Sequence, residues 1–248
     1  MELFHPEKIA VIMSDNRDLE IDLEKAAYNS LSTCINYNYC KLHGYDFFYY
    51  QPYYKEINPN TFNCVDPKTK EPRHPSWSKL LSVSKLLNSD YKYIVYIDTD
   101  AVFRTLDYKI ETFILKYLKD NDFIFLDNSS NLDVIGPEGD ACAGFFVIKN
   151  NGATKKIIDD WYNLDLPQFN TTPFFEQHGL WWRIIKQMKA SIVPEPHFHE
   201  KSGQLIRHMH SGLQGDRVLY FINLLNERKL NLNTNTNVNW VQFDTSIA

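Results

Sequence analysis

Short apolar runs alternate along this chain with longer stretches in which apolar residues recur every three or four positions. The first run, Lys8-Ile-Ala-Val-Ile-Met13, ends in the turn-rich Ser14-Asp15-Asn16-Arg17. That pattern predicts a buried strand with a polar loop at its carboxyl end. From about Leu19 to His43 the residues Leu23, Ala26/Ala27, Leu31, Cys34/Ile35 and Asn38 follow helical spacing, and Gly44 is placed to end the helix. Asp46-Phe-Phe-Tyr-Tyr50 reads as the second strand.

Residues 51–75 carry five prolines and little periodicity, which predicts a long loop of the kind that tends to be functional. Ser76 is expected to cap a helix from Trp77 to Leu87 whose apolar face is Leu80, Val83/Ser84 and Leu87. Tyr93-Ile-Val-Tyr-Ile97 is a buried strand that runs straight into Asp98-Thr99-Asp100. Further helices are expected at Lys109–Lys119, Ala153–Tyr162, Phe174–Met188 and Asp216–Arg228. Further strands are expected at Phe123–Leu126, Gly144–Lys149, near Ile192 and at Gln204–Met209. This alternation predicts an α/β fold, a mostly parallel sheet with helices on both faces and ligands gathered at the carboxyl ends of its strands. One domain would occupy residues 1–230, followed by an Asn-rich tail, 231–248, of low expected order.

Composition narrows the function. A 44% apolar share supports a sizeable core, and the 15% aromatic share suits either core filling or the stacking of bases and sugar rings. With 26 basic against 31 acidic residues and no Lys/Arg cluster, the chain lacks the footprint of a nucleic-acid binder. Cys34, Cys40, Cys64 and Cys142 show neither CxxC pairing nor zinc-ligand spacing and read as buried thiols in a reducing compartment. The amino terminus lacks the charged and apolar regions of a secretion signal, and no run approaches the ~18 apolar residues of a membrane span. A cytoplasmic or otherwise soluble chain is therefore expected.

Two carboxylates two residues apart at the end of a buried strand repel each other unless a cation or a proton relieves them. Asp98 and Asp100 thus suggest a hard divalent ion shared with a diphosphate, the plainer alternative being a strand-ending turn. Asp98-x-Asp100-x-Val102 also resembles the nucleophile loop of haloacid-dehalogenase-like phosphatases. That reading needs a later acidic loop, and Asp159-Asp160 falls in a helical pattern instead. Lys79, one helix upstream, could reach phosphate or simply face solvent. Ala143 and Gly144 would let backbone approach a ligand closely, or serve tight strand packing. Glu176 and Gln177 open a helix and could hold a sugar or its acceptor hydroxyl; a helix amino terminus also favours acid for its own sake. His208 and His210 share one strand face and are both candidate metal ligands.

In order, these pieces resemble the family of plant xyloglucan xylosyltransferases and yeast Golgi galactosyl- and mannosyltransferases. Asn38-Tyr-Cys40-Lys-Leu-His43-Gly44-Tyr-Asp46 is similar to its "yC-x-x-HGY" step, Trp77-Ser-Lys79 to its "W-x-K" helix, and Asp98-Thr-Asp100-Ala-Val-Phe to its "D-[ST]-DA-[VLI]-[FI]" strand end. Cys142-Ala-Gly144-Phe-Phe-Val-Ile-Lys-Asn resembles "N-[AT]-G-x-F-L-I-R-N", with Cys for Asn, and Glu176-Gln177 resembles "D-Q", with Glu for Asp. The family's "H-x-x-G" spacing is matched by neither His208 nor His210, and its usual Golgi membrane anchor is missing. The resemblance implies a GT-A fold, Mn²⁺ or Mg²⁺, a UDP- or GDP-sugar donor, a glycan or glycoprotein acceptor, and retention of configuration. It places Asp98, Asp100 and His208 or His210 at the metal; Lys79, Asp98, Thr99, Ala143 and Gly144 are expected at the donor, with Asp15 and Arg17 there by their position at the end of the first strand. Glu176 and Gln177 would face the transferred sugar. A phosphatase, or a module that binds sugar-nucleotides without turnover, stands as the alternative.

Overall fold

A computed structural model describes residues 8–53, 64–127, 141–193, 205–209 and 214–245. β1 (Ile9–Ser14) lies inside the sheet, and its apolar run serves two faces at once. Ile9, Val11 and Met13 pack toward α1 (Tyr28–His43) and α3 (Ile110–Tyr117). Ala10 and Ile12 pack toward α2 (Ser78–Leu86) and α4 (Gly152–Tyr162). A strand covered on both sides needs no polar alternation, which explains its continuous hydrophobic reading.

The remaining sheet strands are β2 (Asp46–Tyr53), β5 (Tyr93–Ile97), β7 (Phe123–Asp127), β8 (Ala141–Lys149), β9 (Ala190–Val193) and β11 (Asn239–Asp244). Their order is β11-β2-β1-β5-β8-β7-β9, all parallel except β8, which runs against both β5 and β7. Two short ribbons lie outside the sheet: β3 (Cys64–Val65) with β4 (Pro72–Arg73), and β6 (Ala101–Phe103) with β10 (Ile206–His208). α5 (Phe175–Gly179) follows α4, and α6 (Gln214–Arg228) packs on α1 through Phe221, Leu224 and Leu225. The mostly parallel, doubly covered sheet expected from the pattern is present.

Several boundaries differ from expectation, each for a local reason. The first helix begins at Tyr28, not near Leu19. Upstream, Glu20 accepts the backbone N–H groups of Ile21 and Asp22, and Asp22 accepts that of Glu24, so side chains take the donors a helix would use. Gly44 does end α1, in the left-handed region at φ 76°. Ser76 is not the cap of the next helix: His74 accepts the Ser76 N–H through its ring, opening a 3-10 turn, Pro75–Trp77, that leads into α2. The helix expected over Phe174–Met188 is divided into α5, a π turn at Leu180–Ile184 and a 3-10 turn at Ile185–Gln187.

The low order expected after residue 230 is also overturned. Leu232–Asn237 forms a 3-10 turn, and β11 then pairs with β2 over six residues, from Asn239 opposite Phe48 to Asp244 opposite Tyr53. Two asparagines of this segment donate to backbone carbonyls distant in sequence. Asn235 donates to the carbonyls of Glu20 and Ser30, and Asn239 to that of Phe47.

Candidate active site

β5 delivers Asp98 to the carboxyl edge of the sheet, where the chain turns sharply: the Ala101 N–H bonds the Asp98 carbonyl at 3.0 Å. β6 then leaves the sheet and pairs antiparallel with β10, Ala101 opposite His208. The Met209 N–H closes on the Asp100 carbonyl at 2.9 Å. This ribbon brings a residue more than a hundred positions downstream onto the acidic pair. Ligand atoms of Asp98, Asp100 and His208 all lie within 4.8 Å of one another.

Gly144 forms the wall behind them. β8 departs from regular register here: Phe125 of β7 pairs with Phe146, yet the next residue, Leu126, pairs with Cys142. The irregularity presses the β8 backbone against the cluster, with the Gly144 carbonyl accepting the Asp98 N–H at 2.8 Å. A Cβ at Gly144 would lie 2.6 Å from His208 Cε1 and 3.0 Å from Asp98 Oδ2. Cys142 Sγ stands 3.9 Å from the outer ring nitrogen, His208 Nδ1. Two carboxylates and an imidazole against a backbone with no side chain fit a hard or borderline divalent ion.

Lys79 is buried at 3% exposure, not on a solvent face. Its ammonium lies 3.0 Å from Asp98 Oδ1, 2.7 Å from Glu176 Oε1 and 3.2 Å from the Ala143 carbonyl. Tyr96, two residues before Asp98 on the same strand face, donates its hydroxyl to Asp98 at 2.8 Å. Gln177 accepts the Ala143 N–H at 2.7 Å through its side-chain oxygen. Glu176 Oε2 is buried and has no hydrogen-bond partner among the described residues. Buried acceptors are nearly always satisfied, so this oxygen has capacity left for a hydrogen-bond donor in the adjoining cavity.

At the end of β1, Asp15 Oδ1 accepts from the Arg17 N–H and Nε, and Oδ2 from Arg17 Nη2 and the Thr99 hydroxyl. The Arg17 guanidinium lies over the Tyr28 ring, 4.2 Å from its centroid. Asp15 is thereby saturated and acts as a holder for Arg17 and Thr99.

Charges within this cluster are closely matched. Burial raises the Asp98 carboxyl above its ordinary pKa; Lys79 pulls it back and Asp100 pushes it further up. Burial works against the Asp100 carboxylate too, but His208 and Arg217 outweigh it and hold that group below the usual range. Arg217 of α6 reaches Asp100 Oδ2 at 3.3 Å. His208, 3.0 Å from Asp100 Oδ1, is opposed by burial yet pushed up to about 10 by that carboxylate. Lys79 stays charged because Asp98 and Glu176 overcome its burial.

Two cavities meet at this cluster. One, of about 280 Å³, is lined by Asp15, Arg17, Tyr28 and Thr99 toward β1. The other, of about 300 Å³, is lined by Cys142, Gly144, Phe174, Phe175, Glu176 and Gln177 toward β8 and α5. His74, Ser76, Lys79, Asp98 and Asp100 belong to both.

The residues singled out in the sequence thus converge, from Asp15 to His208; His210 lies outside the described residues. Arg217, Tyr28, Tyr96 and His74 were not foreseen. The parity of Tyr96 with Asp98 was readable, whereas Arg217 gave no sign until α6 was seen beside β10. Asp159 and Asp160, which a phosphatase reading would need on a strand-end loop, lie inside α4 paired with Lys155 and Lys156.

A family profile described as the galactosyl transferase GMA12/MNN10 family matches residues 5–231. Comparison with curated proteins gives no match. Among solved structures, the chain is similar to a glycosyltransferase involved in the glycosylation of the major capsid of PBCV-1, with TM-score 0.64 and 13% identity over 87% of this chain and 99% of that one. It is similar also to the glycosyltransferase GlyE of Streptococcus pneumoniae TIGR4, with TM-score 0.52 and 10% identity over 90% of this chain and 64% of that one. The likenesses establish a shared GT-A fold.

Proposed function

The chain belongs to the galactosyl transferase GMA12/MNN10 family and is a glycosyltransferase; from that premise we propose that it moves a sugar from a nucleoside-diphosphate donor to a glycan hydroxyl, with metal dependence and retention of configuration. The observation that carries this reading is the convergence of Asp98, Asp100 and His208 where two cavities join. The β1-side cavity suits the nucleotide, with Arg17 available to a base or phosphate; the α5-side cavity suits the sugar and its acceptor.

Asp98, Asp100 and His208 would hold Mn²⁺ or Mg²⁺, which supplies positive charge beside the diphosphate as it leaves. Lys79 orients Asp98 and Glu176 and adds a fixed cation nearby. Glu176 Oε2 and the Gln177 amide face the sugar as acceptor and donor. In the transfer the bond from the anomeric carbon to the phosphate oxygen breaks with its electron pair on that oxygen. The acceptor oxygen bonds the same carbon from the same face, and its proton passes to the phosphate. No side-chain base is then required. An inverting reaction would need one, and Glu176 would be the group to serve.

Among the described residues no helix is long and apolar enough to cross a membrane. A donor screen tests the proposal: UDP- and GDP-sugars offered one at a time with Mn²⁺, reading release of nucleoside diphosphate with and without EDTA. Release that stops with EDTA and in Asp98→Asn supports it. Turnover of p-nitrophenyl phosphate alone would establish a phosphatase, and binding without any turnover a non-catalytic module.

A further inference from the structure

We propose that His74 is a donor-contacting residue, its Nε2–H held for the nucleotide-sugar where the two cavities meet. The inference rests on the glycosyl-transfer reading above and adds a residue from outside its motifs.

Position is the first argument. His74 lines both cavities, as do Lys79, Asp98 and Asp100. A donor whose diphosphate occupies one cavity and whose sugar occupies the other has its scissile bond at their junction. The side chains shared by both cavities are those within reach of that bond.

The second argument is the proton's place on the ring. The Ser76 backbone N–H points at His74 Nδ1 at 3.2 Å, and the Ser76 hydroxyl lies 2.9 Å from the same nitrogen. A backbone amide can only donate, so the Nδ1 lone pair is engaged and a neutral ring carries its hydrogen on Nε2. Burial lowers the pKa of this histidine, against the pull of Glu176 and with the help of Lys79, which keeps the ring neutral. Nε2 has no hydrogen-bond partner among the described residues.

Third, the ring is not free to turn away. It lies flat on Phe175, with centroids 3.6 Å apart and planes within 2°. The His74 N–H is tied to the Asn170 carbonyl at 2.8 Å. Phe175 and its neighbour Phe174 sit at φ 39° and 70°, a conformation bulky residues avoid and which is maintained where the surroundings impose it. A donor fixed on three sides and unpaired on the fourth is placed for a ligand oxygen.

Two substitutions separate this role from helix capping. His74→Asn retains an acceptor for the Ser76 N–H but cannot extend a donor to the Nε2 position. His74→Gln reaches the Nε2 position with an N–H but gives up the cap. Wild type and both variants are compared with Mn²⁺ and UDP-glucose, UDP-galactose, UDP-xylose and GDP-mannose, reading nucleoside diphosphate release and melting temperature. The proposal expects His74→Asn to melt near wild type with the rate down ~10- to 100-fold, the usual effect of losing one hydrogen bond to a charged group. His74→Gln should melt lower and retain the larger share of the rate. If both variants lose rate only in step with stability, or if His74→Asn turns over like wild type, the role is capping alone and the proposal falls. Should the Asn variant fail to fold, a Gln variant no faster than His74→Ala overturns it equally. A wild type inactive on every donor would overturn the glycosyl-transfer reading itself, and this inference with it.

Discussion

Gly144 and His208 are in contact across the site: the place a Cβ would occupy on Gly144 is 2.6 Å from the imidazole Cε1. A strand glycine is destabilising unless something needs the space, and here the imidazole needs it. Gly144→Ala should therefore displace His208 or Asp98 and weaken Mn²⁺ binding by ~10- to 100-fold, the range typical of disturbed metal surroundings. Calorimetric titration with Mn²⁺ alone, beside a circular-dichroism melt, is the check. An unchanged affinity would show that the ion does not sit against this backbone.

Lys79 is the counter-ion of the buried Glu176 and the part-buried Asp98, so its removal takes the facing cation from both. Lys79→Met should cost about 3–5 kcal/mol of stability, as broken buried pairs generally do. Adding Glu176→Gln should restore part of that loss. Urea denaturation of the single and double variants measures the coupling; additive losses would contradict it.

Arg73 and Asp66 form a second buried pair, 2.8 Å apart, away from the metal cluster. Asn170 joins them, and the guanidinium lies over Trp77. The pair ties the β3–β4 ribbon to the start of the Lys79 helix. Burial works against the Asp66 carboxylate, but the N–H groups of Thr69 and Lys68 and the charge of Arg73 hold its pKa below the ordinary value. Its stabilisation is thus present above about pH 3.9 and is lost as the pH falls through the lowered folded value. Asp66→Ala should be about 3–5 kcal/mol less stable at pH 7, and its deficit should shrink as acid protonates the wild-type group. Paired urea titrations between pH 7 and pH 2.5 test the sign.

Truncation after Val238 removes β11 and with it the buried Phe243. Loss of that ring alone should cost about 1.5–3 kcal/mol, and the bared edge of β2 should promote association. Urea midpoints and light scattering would reveal both effects; a truncated chain as stable as the full one would show that β11 contributes little.

Much was legible in the chain itself, because period and position carry it. The run Ile9–Met13 and the run Tyr93–Ile97 are apolar on both faces, which only a covered sheet accommodates, and polar loops follow each at the same edge. From those two facts the fold class and the place of Asp15, Asp98 and Asp100 follow. Tertiary structure decided what depends on residues distant in sequence. It selected His208 by pairing β10 with β6, turned Lys79 inward by setting Asp98 and Glu176 around it, and brought Arg217 to Asp100. It also made a sheet edge of an Asn-rich segment, because β2 offered unpaired backbone and buried space that composition does not record. Local pattern reports what a residue prefers; the charge, hydrogen-bond partner and open space it finally meets are set by the chain folding back upon it.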